Sequence, residues 1–232
     1  MSQLNSPVDQ LRRFTTCTVA NAIETLKVRL RNEGFTDDTI EYLAGAPEPM
    51  VAHAVTVRIR GSSPPTDNHD YLESTQWWNY VLSVPEPRVV VIQDVDPQPG
   101  LGALVGEVHA NILRSLGCIG VVTNGSVRDL PALEKLKFHT FANRLAVSHA
   151  YSHIVEMSMP VAVGGLQIKS GDLLHGDLHG IVSIPPGAEL QIPTIAEVMI
   201  QREKQIIDLC RTKTFSIEDL RDAVRAFRTV QH

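Results

Sequence analysis

The chain has 232 residues, 43% of them hydrophobic, enough to bury a sizeable core as one domain over residues 1–232. A formal net charge of -5 and a sequence pI near 6.0, with no basic block and no aromatic–basic interleaving, speak against a nucleic-acid surface. No apolar run approaches a membrane span, the N-terminus lacks a signal-peptide pattern, and Cys17, Cys118 and Cys210 fit neither a disulfide framework nor a paired metal spacing, so a reduced, cytoplasmic protein is expected.

In chain order, Pro7 to about Arg31 reads as a helix capped by Ser6 or Asp9, with Val19, Ile23 and Leu26 on one face, inside an N-terminal helical part over 1–50. Val51 to Arg60 alternates as a strand, with Val55, Val57 and Ile59 pointing one way and Thr56, Arg58 and Arg60 the other. GSSPPTDN is a turn-rich break. A second helix is predicted from about Asp70 to Leu82; its Trp77 and Trp78 read more readily as core than as a pocket wall or an interface. Arg88 to Gln93 is an apolar strand ending at Asp94. A helix is predicted to begin near Gly106, with Val108, Ile112 and Leu116 at helical spacing, followed by a buried strand from Cys118 that stops at the turn pair Asn124-Gly125. Short strands recur near Thr140, Val161, Leu166 and Val182, and helices from about Pro193 to Leu209 and Ser216 to Arg228 form a C-terminal part over 194–232. There is no internal repeat. Strands of unequal length with helices grouped before and after predict an α/β sandwich rather than a βαβ series.

The chemistry concentrates between Gly102 and Leu133, in GALVGEVHANILRSLGCIGVVTNGSVRDLPAL. A helix starting at Gly106 leaves free amides at an end that favours an anion. Arg128 adds a planar donor fork and Asp129 a hard oxygen ligand, a set suited to a carboxylate-bearing substrate beside a divalent cation. The plainer reading of the same residues is a surface ion pair next to a self-capped helix. His149 and His153 stand at i and i+4, yet no glutamate lies between them and Tyr151-Ser152 make a poor helix core, so a two-histidine metal centre is disfavoured. His149 also lacks the context of a phosphate carrier. His175 and His179, flanking Asp177, are read as partners in a hydrogen-bonded loop.

The segment from Gly106 to Asp129 resembles the signature of the family that includes regulator of ribonuclease activity A (RraA) and the class II 4-hydroxy-4-methyl-2-oxoglutarate aldolases. Its G-[DE]-x-x loop is matched by Gly106-Glu107-Val108-His109, and its G-x-x-R-D by Gly125-Ser126-Val127-Arg128-Asp129. Gly171-Asp172-Leu173-Leu174-His175-Gly176-Asp177 and Gly180-Ile181-Val182-Ser183-Ile184-Pro185 are similar to a later family segment, and the likeness runs from about Phe14 to Leu209.

The resemblance implies a swivelling, phosphohistidine-domain-like α/β sandwich with flanking N- and C-terminal helices, assembled as a homotrimer or a dimer of trimers. It also implies a carbon–carbon lyase that acts on a 2-oxo acid through a pyruvate enolate and depends on Mg²⁺ or Mn²⁺. In that implied site Asp129 is the one direct protein ligand of the metal, and Arg128 donates to the keto oxygen. The backbone amides of Gly106, Glu107, Val108 and His109 hold the substrate carboxylate, while Glu107 orders a metal-bound water that moves the proton. A glutamate from a neighbouring subunit's C-terminal helix completes the family's site; Glu203 is the match here, with Glu197 close by. One departure is Asn21, where relatives often carry an aspartate. Oxaloacetate decarboxylation passes through the same enolate and stands as a second activity. The rival class is a non-catalytic, protein-binding regulator of a ribonuclease.

Overall fold

The valine-rich runs form the centre of one mixed sheet. In the computed structural model, which describes residues 6–66, 75–212 and 214–228 (the side chains of 227 and 228 excepted), β2 (Met50–Arg60), β3 (Arg88–Asp94), β5 (Cys118–Val127) and β6 (His139–Leu145) lie parallel, in the spatial order 2-3-5-6. β1 (Glu41–Ala44) adds antiparallel beside β6, and β10 (Leu173–Asp177) with β11 (Gly180–Ile184) extends the sheet beyond β2. β4 (Ala103–Val105) pairs with the end of β5, and β7 (His153–Met157) with the end of β2. A separate hairpin is made of β8 (Val161–Val163) and β9 (Leu166–Ile168). The mixed α/β class with flanking helices is the predicted one, but the expected absence of a βαβ series is not met: the helices Thr75–Ser83, Glu107–Ser115 and Leu130–Lys135 each lie between successive parallel strands, as the crossovers of a parallel sheet require.

The central strands are covered on both faces. Val55, Val57, Val90, Ile92 and Val121 meet Trp77 and Val81 of α3 (Thr75–Ser83), Ala110 and Leu113 of α4 (Glu107–Ser115), and Leu133 of α5 (Leu130–Lys135). The intervening residues Ala54, Val89, Val91 and Val122 turn to the opposite face, beneath Val161 and Ile168 of the hairpin. β2 keeps the expected alternation, with Val55, Val57 and Ile59 on one face and Thr56, Arg58 and the exposed Arg60 on the other, but the second face is largely covered. Thr56 is fully buried, its amide donating to the Tyr80 hydroxyl at 3.1 Å, while Arg58 is half-buried and reaches Glu156 at 2.8 Å and the Pro160 carbonyl at 2.7 Å. Strands of a parallel sheet buried on both sides carry apolar residues almost continuously, which explains the run of Val and Ile.

Two local expectations need correction. The single helix over Pro7 to Arg31 is two helices, α1 (Pro7–Leu11) and α2 (Thr16–Leu26). Each has its own cap: Ser6 Oγ accepts from the Asp9 amide at 3.1 Å, and Thr15 Oγ1 accepts from the Thr18 amide at 3.2 Å. Val19 and Ile23 are buried and Leu26 partly so, against Ile192 and Ala196 of α6 (Ile192–Arg211) over β10 and β11; α7 (Ile217–Arg228) packs on α6. The helix expected from Asp70 is described only from Thr75 onward, since residues 67–74 lie outside the described ones; Trp77 sits in the core at 1% exposure, with Trp78 partly buried beside it.

Nor does β5 stop at Asn124-Gly125. It continues to Val127: on the β3 side Asn124 Oδ1 accepts the Asp94 amide at 2.7 Å and Nδ2 donates to the Asp94 carbonyl at 3.0 Å, while on the β6 side the ladder resumes after a register shift between Thr123 and Ser126. The stretch from His149 to His153 is not helical, in line with the poor helix core of Tyr151-Ser152: a turn precedes β7, and each imidazole Nδ1 lies 2.7 Å from a nearby carbonyl, of Ala150 and of Tyr151 respectively. Among the described residues no helix is long and apolar enough to cross a membrane.

Candidate active site

The residues singled out at Gly106–His109 and Arg128–Asp129 come together where β4 and β5 end. Gly106 is the N-cap of α4, in extended backbone at φ -136° and ψ -162°. The first bond of the helix ladder runs from the Ala110 amide to the Gly106 carbonyl at 2.9 Å, so the amides of 107–109 precede it. Across from this turn, the Arg128 amide donates to the Val105 carbonyl at 3.1 Å, locking the end of β5 to the end of β4. Asp129 follows in left-handed conformation at φ 57°, a region that Asp tolerates better than most side chains.

Asp129 occupies the N-cap position of α5, where a carboxylate ordinarily bonds its own helix. Here it makes no such bond. Its Oδ2 instead accepts the Glu107 amide at 3.0 Å, with Arg128 Nε 3.6 Å from the same oxygen. A Cβ on Gly106 would stand 2.4 Å from Asp129 Oδ2 and 2.9 Å from Arg128 Nε, so close approach rather than unusual φ is what demands glycine. The Arg128 and Asp129 side chains are 36% and 41% exposed, and Glu107 is exposed beside them. The result is a shallow opening lined by a helix N-terminus, a guanidinium and two carboxylates.

The buried face of α4 is not the predicted one. His109, Ala110 and Leu113 face inward, Ile112 and Leu116 are partly covered, and Val108 is 67% exposed. His109 is 4% exposed, with Nδ1 3.1 Å from the Leu104 carbonyl and its ring edge-on to Trp77 at 6.5 Å between centroids. Burial pushes its pKa below the ordinary histidine value despite the Leu104 contact, which keeps the ring neutral. What His109 offers the opening is therefore its backbone. The Glu107 amide is already engaged by Asp129.

Glu203 is half-buried on α6, which packs against α1, α2 and α7, whereas α4 packs on α5, β4 and β5. No hydrogen bond or ion pair among the described residues joins Glu203 to Glu107, Arg128 or Asp129. Glu197 is taken by Arg13 at 2.8 Å. The histidines of the later motif fasten α2 to the sheet: His175 is fully buried between the Thr16 hydroxyl at 3.0 Å and the Leu11 carbonyl at 3.2 Å. Asp177 accepts the amides of Thr16 and His179, each at 2.9 Å. The polar cluster read from the sequence is thus a hydrogen-bonded one, with His175 in a strand rather than a loop.

One support of the site has no counterpart in the sequence reading. Asp94, buried at the end of β3, accepts the amides of Asp96 at 3.0 Å and Gly100 at 2.7 Å, and Ser126 Oγ donates to the Gly100 carbonyl at 2.6 Å. Asp96 in turn receives the amides of Gly61 and Ser62, both at 2.8 Å. The loop ahead of β4 is thereby clamped under the last residues of β5. The aspartates and prolines of DVDPQPG were the available signal, a turn-forming composition directly before the motif.

Among the described residues no three His, Cys, Asp or Glu side chains converge as a ready-made metal cage. The donor set that is present, one half-exposed carboxylate at a polar opening, fits a hard cation held mainly by waters and substrate oxygens, as Mg²⁺ commonly is.

Comparison with known proteins places these features in context. A family model described as RraA-like, Aldolase/RraA, matches residues 16–183, a span that contains Gly106 to Asp129 and excludes Glu203. A Halalkalibacterium halodurans protein, whose name proposes it as a 4-hydroxy-4-methyl-2-oxoglutarate aldolase, is 30% identical over 126 residues, covering 54% of this chain and 57% of that protein. The chain spans about half the length of the curated relatives it matches. An uncharacterized protein from Pseudomonas syringae pv. tomato superposes with a TM-score of 0.71 at 19% identity, over 95% of this chain and 93% of that one. RraAS2 of Streptomyces coelicolor, described as an unusual member of the RNase ES inhibitor RraA protein family, gives 0.66 at 22% identity, over 86% and 94%. At these identities the two structures establish the fold.

Proposed function

The chain belongs to the RraA-like family, and from that premise we propose that it is a divalent-metal-dependent carbon–carbon lyase acting on a 2-oxo acid, of the 4-hydroxy-4-methyl-2-oxoglutarate aldolase kind. The observation that carries the reading is the 3.0 Å bond from the Glu107 amide to Asp129 Oδ2, which ties the start of α4 to the Arg128-Asp129 pair. Breaking the bond between the carbons α and β to a keto group leaves its electron pair on the α carbon, delocalised as negative charge on the keto oxygen. Groups that bind this enolate more strongly than the ketone lower the barrier. Arg128 is placed to do so, since its planar fork meets a keto oxygen and a neighbouring carboxylate together. Amides of the first turn of α4 take the substrate carboxylate, aided by the helix dipole. Glu107 returns and removes the proton through a water. Asp129 would hold Mg²⁺ or Mn²⁺, which when bound supplies Lewis-acid polarisation of the keto oxygen. Glu203 of a neighbouring copy, in a trimer or dimer of trimers, would complete the opening.

The joint presence of Glu107, Arg128 and Asp129 favours a lyase over a non-catalytic regulator, which needs no such set. Oxaloacetate decarboxylation is the companion activity, since it yields the same enolate. The test is a screen of 2-oxo acids for pyruvate release, with excess chelator and after adding back Mg²⁺ or Mn²⁺. Release that chelator abolishes and metal restores is the expected result; full activity in chelator, or no pyruvate from any 2-oxo acid with either metal, overturns the reading.

A further inference from the structure

The parallel strands have a second polar end. Opposite the candidate active site, where β3, β5 and β6 begin, lies a recess of about 680 Å³, a volume within the range of small-ligand pockets. β5 spans ten residues from one end to the other, so about 30 Å separates the two places at the usual rise of a strand.

The charges of this recess are unevenly matched. Arg12, Arg114 and Lys137 line it, and none has an ion-pair partner among the described residues. Two acids share the wall: Glu86 pairs with Arg88 at 2.9 Å, which leaves Asp9, whose Oδ2 accepts the Ser6 hydroxyl at 2.7 Å, as one carboxylate against three cations. Arg114 is fixed in place by a bond from its guanidinium to the Leu136 carbonyl. His139, at the first position of β6, is only 6% exposed, and its Nδ1 is buried with no hydrogen-bond partner. That nitrogen packs against Gly45, where a Cβ would lie 2.7 Å from it and 2.3 Å from the Tyr42 hydroxyl. The Nε of Arg12 is likewise buried and unpartnered. Buried donors without a protein partner are costly, and donors grouped beside cations without an ion-pair partner favour an anion as theirs.

We propose that this recess binds a small oxyanion, phosphate or a dicarboxylate, between Arg12, Lys137 and Arg114 over His139. The guanidinium and ammonium groups supply charge-assisted donors, with the His139 ring as part of the wall. His139 is neutral before binding, because burial and the adjacent Arg12 charge, outweighing Glu48, lower its pKa to about 4. The site is separate from the lyase chemistry and does not depend on it.

The test is calorimetric titration of the full chain with inorganic phosphate and, separately, with malonate, at low chloride. Saturable binding of either is expected, weakened at least tenfold in Arg12→Ala and Lys137→Ala and unchanged within twofold in Arg31→Ala, an exposed arginine paired with Glu24 outside both sites. Binding of phosphate alone identifies a phosphate site, of malonate alone a carboxylate site, and of both a general oxyanion site. The ring resonances of His139, assigned with His139→Gln, should move in step with the heat, a readout in the unmodified chain that stands even if a variant fails to fold. Absence of saturable binding by both anions up to about 10 mM, well beyond the millimolar constants of weak specific sites, overturns the proposal. So does binding that Arg128→Ala abolishes while Arg12→Ala leaves it intact.

Discussion

Gly106 is the residue on which the geometry of the opening turns. Its backbone is extended and open to any side chain, but the space a methyl would fill belongs to Asp129 Oδ2 and Arg128 Nε. Gly106→Ala should therefore cost little in folding, of the order of 1–3 kcal/mol for a local overpacking. It should nonetheless displace both side chains and lower pyruvate release by about a hundredfold, the scale of an ångström-sized misplacement. Thermal melts and steady-state kinetics on one preparation check both halves; unchanged kinetics would mean that the contact is incidental. Arg128→Lys keeps the charge and removes the fork, so kcat should fall far more than KM rises. Kinetics within about twofold of the parent would reduce the pair to a surface bridge, which is worth little.

At the scale of elements, the opening exists because two short pieces, β4 and the start of α4, are held against the end of β5. Asp129 gives up capping α5 to reach the Glu107 amide, an exchange that links two helix starts through one carboxylate. Within one chain α6 packs on α1, α2 and α7 rather than on this assembly, so the proposed contribution of Glu203 would have to come from a neighbouring copy. That arrangement is testable by mixing. Asp129→Asn retains a residue suited to φ 57° while removing the charge, and Glu203→Ala removes the donated carboxylate. Each variant alone should be inactive, and oligomers refolded from both should recover part of the activity, because some interfaces then pair an intact Asp129 with an intact Glu203. No recovery in verified mixed oligomers would remove Glu203 from the site.

For the whole molecule, the distribution of neutral histidines sets the response to acid. His109 under α4, His139 at the start of β6 and His175 under α2 all have pKa values lowered chiefly by burial, His139 to about 4. Each is neutral when folded and takes a proton near pH 6.5 when unfolded. The unfolded state therefore binds more protons, and stability present above pH 6.5 is lost as pH falls toward 4, by up to about 1.4 kcal/mol per pH unit for each histidine. Asp96 adds to this at lower pH. Burial would raise its carboxyl, but bonds from Ser62 and Gly61 and the Arg60 charge hold it below the ordinary range, so its contribution disappears only as the pH drops through the carboxylate range. Urea midpoints measured at pH 7.5, 6 and 5 should fall steadily, and His175→Gln should flatten part of the slope. A midpoint constant over that range would contradict the burial of the three rings.

The sequence by itself determined which segments are strands and helices in the centre and at the C-terminus, because runs such as VVVIQD and CIGVV and the amphipathic helices carry their pattern within a few residues. It also marked Gly106, Glu107, Arg128 and Asp129 as a set, through a glycine–carboxylate step at a helix start and an Arg-Asp pair beyond a strand. Only the tertiary structure decided how they meet. Which face of α4 is buried depended on a neighbour distant in sequence, Trp77 against His109, and that contact turned Val108 outward. Asn124-Gly125, a turn pair by local chemistry, stayed in the strand because the backbone of Asp94, thirty residues earlier, was there to receive the amide. The two faces of β2, and the recess floored by His139, likewise follow from what packs on or stands beside each strand. Local pattern fixes the element; long-range packing and hydrogen bonding fix which of its groups remain available for chemistry.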